Sequence, residues 1–160
     1  MTNDQDHIKQ AGKEEAPAGR FTRIDSEPFY TIRNYDRLTP FLMSIVSDSD
    51  HWMFISSNGG LTAGRANPQQ PIFPYDSEDK LHLCHDHTGP RTALWVTPAD
   101  GEPVLWEPFR ESAKDNYHIN RNLYKSELGN RLIFEEVNHD LSLTFRYGWC
   151  YSERFGIVRD

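Results

Sequence analysis

The stretch LSLTFRYGWC, from Leu141 to Cys150, decides the fold class. Successive side chains of a β-strand point to opposite faces of the sheet, so a strand with one buried face shows large apolar residues at every second position. This stretch has that alternation, with mostly small or polar residues at the positions between. We therefore predict a half-buried strand whose core-facing side chains are Leu141, Leu143, Phe145, Tyr147 and Trp149.

The segments around this strand predict hairpins. RLIFEEV, Arg131 to Val137, is joined to it through the turn-forming residues NHD, a connection short enough for antiparallel neighbours. ADGEP, Ala99 to Pro103, carries Asp-Gly at its centre and predicts a second hairpin turn.

Other short apolar segments are bounded by Gly, Pro, Asn or Asp: PFYTIRNY, WMFISS, KLHLCH, TALWV and PVLWEPF. Only Glu111 to Tyr117 suggests a helix, of about one turn. The pattern predicts an all-β fold, an antiparallel β-sandwich or an open barrel. RFGIVRD begins like a further strand, so we expect the sheet to be incomplete here and to continue beyond Asp160 in a larger parent protein.

Composition limits the function classes. The chain of 160 residues is 37% hydrophobic and 26% charged, which is typical of one soluble globular domain. Its formal net charge of −7 argues against a nucleic acid or an anionic membrane as the main partner. Residues 1–20 are polar and lack a secretory signal, so we expect a flexible tail there and one β-sandwich domain over residues 21–160. The two cysteines are too few for a disulfide framework, and the sequence predicts a cytoplasmic protein.

The segment FISSNGGLTAGR concentrates turn-forming residues after a predicted strand. It lacks the lysine and the glycine spacing of nucleotide-binding loops. Its Asn-Gly-Gly sequence predicts a tight turn with positive φ, which needs no ligand. The alternative is a polar loop that meets sugar hydroxyls or an anion. The candidate substrate-binding residues of this region are Asn58, Gly59, Gly60, Arg65 and Tyr75.

Three further features bear on chemistry. Carboxyl groups are abundant, but no pair has a spacing that singles it out as catalytic, and Glu107 in LWEPF is distinguished only by neighbours that predict burial. LHLCHDHTG offers several metal-binding side chains, which on a strand would divide between two faces: His82, Cys84 and Asp86 on one, His85 and His87 on the other. We predict polar strand-edge residues there, with no metal and no cofactor.

The tryptophans either fill the core or form a platform for sugar rings. Trp149 and Tyr147 continue the apolar face of their strand and are predicted to be core. Trp106 is balanced between the two roles, and we include it among the candidate substrate-binding residues.

Several segments follow one another in an order found in one enzyme family: WMFISSNGGLTAGR, FPYDSEDKL, GPRTALWVTPADGEPVLWEPF and YKSELGNRLIFEEVNHDLSLTFRYGWCYSERFGIVR. Over Pro28 to Asp160 the chain resembles the N-terminal β-sandwich region of cellobiose phosphorylase-like proteins, the inverting disaccharide phosphorylases of glycoside hydrolase family 94. The resemblance implies a galactose mutarotase-like super-sandwich that packs against an (α/α)6 barrel, often in a homodimer. It also implies that the catalytic aspartate lies on the barrel and that phosphate is the nucleophile. The acidic tail and NPQQPIFPYDSEDK depart from the cellobiose enzymes, so we expect a different sugar.

We therefore expect a non-catalytic β-sandwich part of a carbohydrate-active enzyme, with an oligosaccharide as partner and phosphate reached through the barrel. Such a part would support the barrel, its active-site mouth or a dimer interface. One alternative is a free-standing carbohydrate-binding or interaction module. Another is a cupin-like metal enzyme, which would use the histidine-rich segment.

Overall fold

The structure of the chain is a computed structural model that describes residues 15–46, 49–99 and 101–151 and the backbone of residues 158–159. Most of the predicted N-terminal tail lies outside this range. In chain order the strands are β1 (Ala18–Ile24), β2 (Glu27–Arg33), β3 (Leu42–Ile45), β4 (His51–Ser56), β5 (Leu61–Arg65), β6 (Leu94–Val96), β7 (Val104–Trp106), β8 (Ile119–Ser126), β9 (Arg131–Asn138), β10 (Leu143–Tyr151) and β11 (Val158–Arg159). One short helix, α1 (Glu111–Asn116), and two 3₁₀ turns, Tyr35–Arg37 and Glu78–Leu83, accompany them.

These strands form antiparallel sheets, which confirms the predicted all-β, sandwich-like fold. The six-stranded sheet has the order β1-β2-β8-β9-β10-β11, and the three-stranded sheet has the order β3-β4-β5. β6 and β7 pair as a separate hairpin. The two larger sheets bury one face of each against the other, in a core that contains Ile45, Met53, Ile55, Leu61, Leu123, Leu132, Phe134 and Trp149.

The predicted strand at the end of the chain is β10, and its pairing with β9 confirms the predicted hairpin. Its aromatic face points inward, and burial increases along the strand from Leu143, which is 38% exposed, to the buried Trp149 and Tyr151. The strand begins at Leu143 because Ser142 adopts a positive φ of 54° in the preceding turn.

Other hairpins also agree with the sequence. β6 and β7 flank the ADGEP segment, and α1 occupies the segment predicted to supply one helical turn. β11 continues the sheet at residues 158–159, within RFGIVRD.

Some elements differ from the sequence predictions. β1 begins at Ala18, within the segment assigned to the tail, and β3, β5 and β8 were not expected as strands. KLHLCH was expected as a strand, and this was wrong, because the segment forms a 3₁₀ turn followed by further turns. Only Leu81 of this segment is buried, whereas Leu83 is largely exposed. The segment therefore lacks the repeated burial of every second side chain that a half-buried strand would show.

Within the part of the chain that the structure describes, no helix is long and apolar enough to cross a membrane.

Candidate functional site

A polar cleft of about 610 Å³ opens beside the β4–β5 turn. Its walls come from the β4–β5 turn, from the loop after the second 3₁₀ turn, from residues 107–114 and from the segment after β2. Four carboxylates and four basic side chains line it: Asp36, Asp86, Glu107 and Glu111, with Arg91, Arg110, Lys114 and Arg121.

The floor of the polar cleft is held by an ion pair between β8 and β9. Arg121 and Glu136 face each other in register, and their side chains are 3% and 0% exposed. Glu136 Oε2 accepts hydrogen bonds from Arg121 Nε at 2.8 Å and from the Phe109 backbone N–H at 2.7 Å. Its Oε1 accepts one from Trp106 Nε1 at 2.9 Å. The hydrogen bonds to this carboxylate therefore hold the segment that contains Trp106 and Phe109 in place.

Arg121 connects three structural elements through one guanidinium. Besides Glu136, it donates to Glu111 Oε1 at 3.2 Å and to the Arg110 carbonyl at 2.6 Å. Burial opposes its charge, but the carboxylate of Glu136 outweighs burial and raises the pKa of Arg121. The residue is thus a permanently charged anchor beneath the polar cleft.

Phe109 adopts a left-handed backbone conformation, with φ of 66°, which is unusual for a bulky residue. Its ring packs edge-to-face on Tyr147, with 5.1 Å between the centroids, and the Arg121 guanidinium lies 5.9 Å from the Phe109 ring centroid. Strained residues of this kind persist only where surrounding contacts hold them, and they are enriched at functional sites. The hydrogen bond from its N–H to Glu136 supplies one such contact.

Alternating charges form one side of the rim. Lys114 Nζ lies 3.1 Å from a carboxylate oxygen of Asp36 and 3.1 Å from one of Glu111. Burial raises the pKa of Glu111, but Lys114 and Arg121 outweigh burial and the pKa is lowered. Glu111 therefore offers an ionised acceptor to a ligand at neutral pH.

The other side of the rim is a chain of guanidiniums and carboxylates. Arg110 Nε lies 3.5 Å from Glu107, and Arg110 Nη1 lies 3.3 Å from Asp86, which also pairs with Arg91. These side chains are about half exposed, so a ligand can reach them.

The apolar side of the polar cleft consists of aromatic rings. Tyr147 stacks on Phe134 with 4.9 Å between the ring centroids, and Tyr35 packs edge-to-face on the same ring. Burial raises the pKa of Tyr147 and of Tyr35, so both phenols stay protonated at neutral pH. They add apolar surface and hydroxyl groups without adding charge.

The β4–β5 connection is a tight turn, as predicted. The Gly59 N–H donates to the Ser56 carbonyl at 2.9 Å, and Gly59 has a φ of +97°. A Cβ on Gly60 would overlap the Leu81 carbonyl oxygen, so this glycine is required by close approach of two backbones. Asn58 Nδ2 donates to the His82 carbonyl at 2.8 Å. The turn therefore holds the histidine-rich segment in place.

The structure does not bring all six candidate substrate-binding residues together. Asn58 and Gly59 line the polar cleft, whereas Gly60 is buried behind the turn. Trp106 is 1% exposed, so its ring has no free face for a sugar and it reaches the site only through Glu136. Arg65 lies at the opposite end of β5, and Tyr75 packs edge-on against Trp52.

The histidine-rich segment does not present two faces, because it is not a strand. Cys84 Sγ donates to Asp76 at 3.2 Å, an interaction that raises the thiol pKa. The described residues contain no group of three or more His, Cys, Asp or Glu side chains arranged to hold a metal ion.

Sequence reasoning missed most of the charged lining, including Asp36, Arg110, Lys114 and Arg121. The available signal was the spacing between Arg121 and Glu136, which matches two strands joined by a tight hairpin. Recognising it required β8 to be identified as a strand.

No protein-family model matches this chain, and no curated protein matches it significantly.

Proposed function

We propose that this chain is a non-catalytic β-sandwich part of a carbohydrate-active enzyme and that its polar cleft binds saccharide hydroxyl groups. The observation that carries the proposal is the convergence of three distant sequence segments at one cleft. Asn58 and Gly59 come from SSNGG, Thr88 comes from HTG, and Glu107 comes from WEPF. SSNGG and WEPF are among the segments on which the resemblance to disaccharide phosphorylases rests.

The chemistry of the lining supports a neutral polyhydroxylated ligand. The equal numbers of carboxylates and basic side chains pair with one another, so little net charge remains to attract an ion. Paired carboxylates and guanidiniums still accept and donate strong, directed hydrogen bonds to hydroxyl groups. Phe109 and Tyr147 are partly exposed in this lining, and they add apolar surface for the C–H groups of a sugar ring.

The proposal assigns catalysis to another part of such an enzyme. In the phosphorylases that the sequence resembles, the catalytic acid lies on an (α/α)6 barrel, and phosphate attacks there. The described residues of this chain contain only one six-residue α-helix, so the barrel would be separate from them. Homodimeric assembly and a cytoplasmic location belong to the same proposal.

Saccharide titration of this chain, followed by NMR, tests the cleft. We expect a disaccharide panel that includes cellobiose to shift amide signals around residues 107–114, and Glu111→Gln to weaken binding roughly tenfold through loss of a charged hydrogen bond. Glu27→Gln is the matched control, because Glu27 is also an exposed carboxylate in an ion pair, with Arg131. Equal binding by Glu111→Gln and the control would refute the role of the cleft.

One observation favours the alternative of a free-standing carbohydrate-binding module. Trp95 is 74% exposed and faces Leu105 across the β6–β7 hairpin, so its ring is available for stacking on a sugar. If Trp95→Ala abolishes binding in the same titration while Glu111→Gln leaves it unchanged, the alternative replaces the cleft.

A further inference from the structure

The outer face of the six-stranded sheet carries a second groove, of about 210 Å³. Its floor includes the first three members of a row of side chains in direct register across four strands, from β2 to β10. Because side chains alternate along each strand, this row lies on the face opposite to the polar cleft. The row consists, in order, of Arg33, Asn122, Glu135 and Arg146.

Glu135 is the buried centre of this row, and its hydrogen-bonding capacity is engaged. Its Oε1 accepts from Asn122 Nδ2 and from the Tyr124 hydroxyl, both at 2.7 Å, and its Oε2 accepts from Arg146. Burial raises the pKa of Glu135, but these donors outweigh burial and lower it. Burial and the adjacent carboxylate raise the pKa of Tyr124 to about 12. Arg146 therefore balances the charge of Glu135, which leaves Arg33 uncompensated.

Arg20 and Arg33 both line this outer groove, and they are diagonal neighbours on β1 and β2. Among the described residues, neither guanidinium makes a hydrogen bond or an ion pair, and that of Arg33 has only a longer-range electrostatic interaction with the Tyr124 hydroxyl. The other arginines whose side chains the structure describes all donate to a carboxylate, a carbonyl or a histidine: Arg23, Arg37, Arg65, Arg91, Arg110, Arg121, Arg131 and Arg146. The chain has a net charge of −7, so two neighbouring guanidiniums without a carboxylate partner form a local region of positive charge on an acidic protein.

Two guanidiniums at diagonal positions, roughly 7–8 Å apart at the backbone, are close enough for one anion to contact both. The planar fork of arginine matches two oxygens of a phosphate or a carboxylate. Since one water occupies about 30 Å³, the outer groove has room for such a group with a few waters. It is about a third of the volume of the polar cleft.

We propose that the outer groove is a binding site for the phosphate or carboxylate group of a small ligand, held between Arg20 and Arg33. Glu15 and His139 are the other titratable groups on its walls besides Tyr124 and Glu135. Because the outer groove lies on the opposite face of the sheet, this site is independent of saccharide binding in the polar cleft.

NMR titration with inorganic phosphate tests this proposal on the whole chain. We expect saturable shifts of the amide signals of β1 and β2, and a roughly tenfold loss of affinity in Arg20→Gln and in Arg33→Gln, because each removes a charged hydrogen-bond donor. Arg33→Lys keeps the charge but loses the fork, so we expect an intermediate loss. Arg23→Gln is the matched control, since Arg23 lies on β1 but points to the other face and donates to the Ser26 carbonyl.

Parallel titrations with glucose 6-phosphate, glucuronate and glucose identify the recognised group. Shifts with the phosphate ester alone assign phosphate, shifts with glucuronate alone assign carboxylate, and shifts with both assign an oxyanion in general. Glucose should leave the β1 and β2 signals unchanged. Absence of saturable shifts with every anion, equal shifts with chloride, or equal weakening in Arg23→Gln would overturn the proposal.

Discussion

Glu135 and Glu136 are adjacent in β9 but lie on opposite faces of the sheet, and each is paired with an arginine of a neighbouring strand. On the inner face, Arg121 is 3% exposed and Glu136 holds two further donors from the cleft floor. On the outer face, the Arg146 side chain is 59% exposed and water reaches it. The inner pair therefore organises the backbone, whereas the outer pair leaves a hydrated groove beside it.

The comparison teaches that burial, rather than the identity of the two charges, decides what an ion pair does. Removing one member of a sealed pair leaves the other charged in a medium that cannot solvate it. In the outer pair the arginine is already in water, and its removal leaves Glu135 with the Asn122 and Tyr124 donors, so the loss is smaller. The variants below test this difference, beginning with the largest expected effect.

The inner pair should show the largest effect. We expect Arg121→Met to lower the free energy of unfolding by about 3–5 kcal/mol, because it leaves Glu136 as an uncompensated buried charge. Urea denaturation followed by circular dichroism measures this loss. A loss below about 1 kcal/mol, typical of a surface pair, would show that water already reaches Glu136.

The double variant Arg121→Met with Glu136→Leu provides the control. Because both charges leave together, we expect it to recover part of the stability lost by Arg121→Met alone. Recovery should be incomplete, since Trp106 Nε1 and the Phe109 N–H lose their shared acceptor. A double variant less stable than either single variant would contradict the assignment of the pair.

The β4–β5 turn is a second tightly packed region beside the polar cleft, and a side chain added at its glycines should also lower stability. We expect Gly60→Val to cost about 1–3 kcal/mol, because its Cβ would overlap the Leu81 carbonyl oxygen. Gly59→Val should cost about 1–3 kcal/mol for another reason, the positive φ of Gly59. Gly101→Val is the control, since its Cβ would meet only ordinary contacts with Pro98. Urea denaturation of all three variants distinguishes these positions, and an equal loss in Gly101→Val would remove the structural argument.

The outer pair should show a smaller effect that depends on pH. We expect Glu135→Gln to cost about 1–2 kcal/mol at pH 7, because a charged acceptor becomes a neutral one. The folded pKa of Glu135 is lowered, so its contribution is present above the ordinary value of 4.5 and is lost as the pH falls through the folded value. The difference in unfolding free energy between the original chain and Glu135→Gln should therefore be constant from neutral pH to about pH 5 and shrink below it.

Glu127→Gln, at an exposed position, gives the baseline for removing a surface charge. A difference for Glu135→Gln that grows on acidification would mean that burial, rather than the three donors, controls this carboxyl group.

Those features of the fold that rest on local alternation could be predicted from the sequence. β10 was predictable because one face carries the large side chains, and the β4–β5 turn was predictable because Asn-Gly-Gly favours positive φ. β8, INRNLYKS, carries Arg121 on its inner face and Asn122 on its outer face, so neither face is continuously apolar. Its polar side chains are satisfied across the sheet, and only the strand register reveals their partners.

The candidate site shows the same limit. Asn58 and Gly59 were found from turn chemistry, whereas the rim depends on side chains brought together from separate segments, such as Asp36 and Lys114. Each of these residues taken alone is an ordinary surface charge. Trp106 was a reasonable candidate because tryptophan rings can stack on sugars. Its Nε1 instead donates to the buried Glu136, and the side chain lies in the interior.

Arg65 completes the series, because its exposed guanidinium contacts no carboxylate, only the buried ring of His51. Its Nε donates to His51 Nε2 at 3.1 Å, which requires that ring nitrogen to be unprotonated. The side chain is exposed at the end of β5 far from the turn, so water replaces the lost hydrogen bond. We expect Arg65→Ala to lower the free energy of unfolding by about 1 kcal/mol or less, which urea denaturation can compare directly with Gly60→Val. If Arg65→Ala is as destabilising as Gly60→Val, then Arg65 is an essential structural contact at this end of the β4–β5 hairpin. In that case the exposure of the arginine does not explain why the contacts of Arg121, Arg146 and Arg65 differ in their effect on stability.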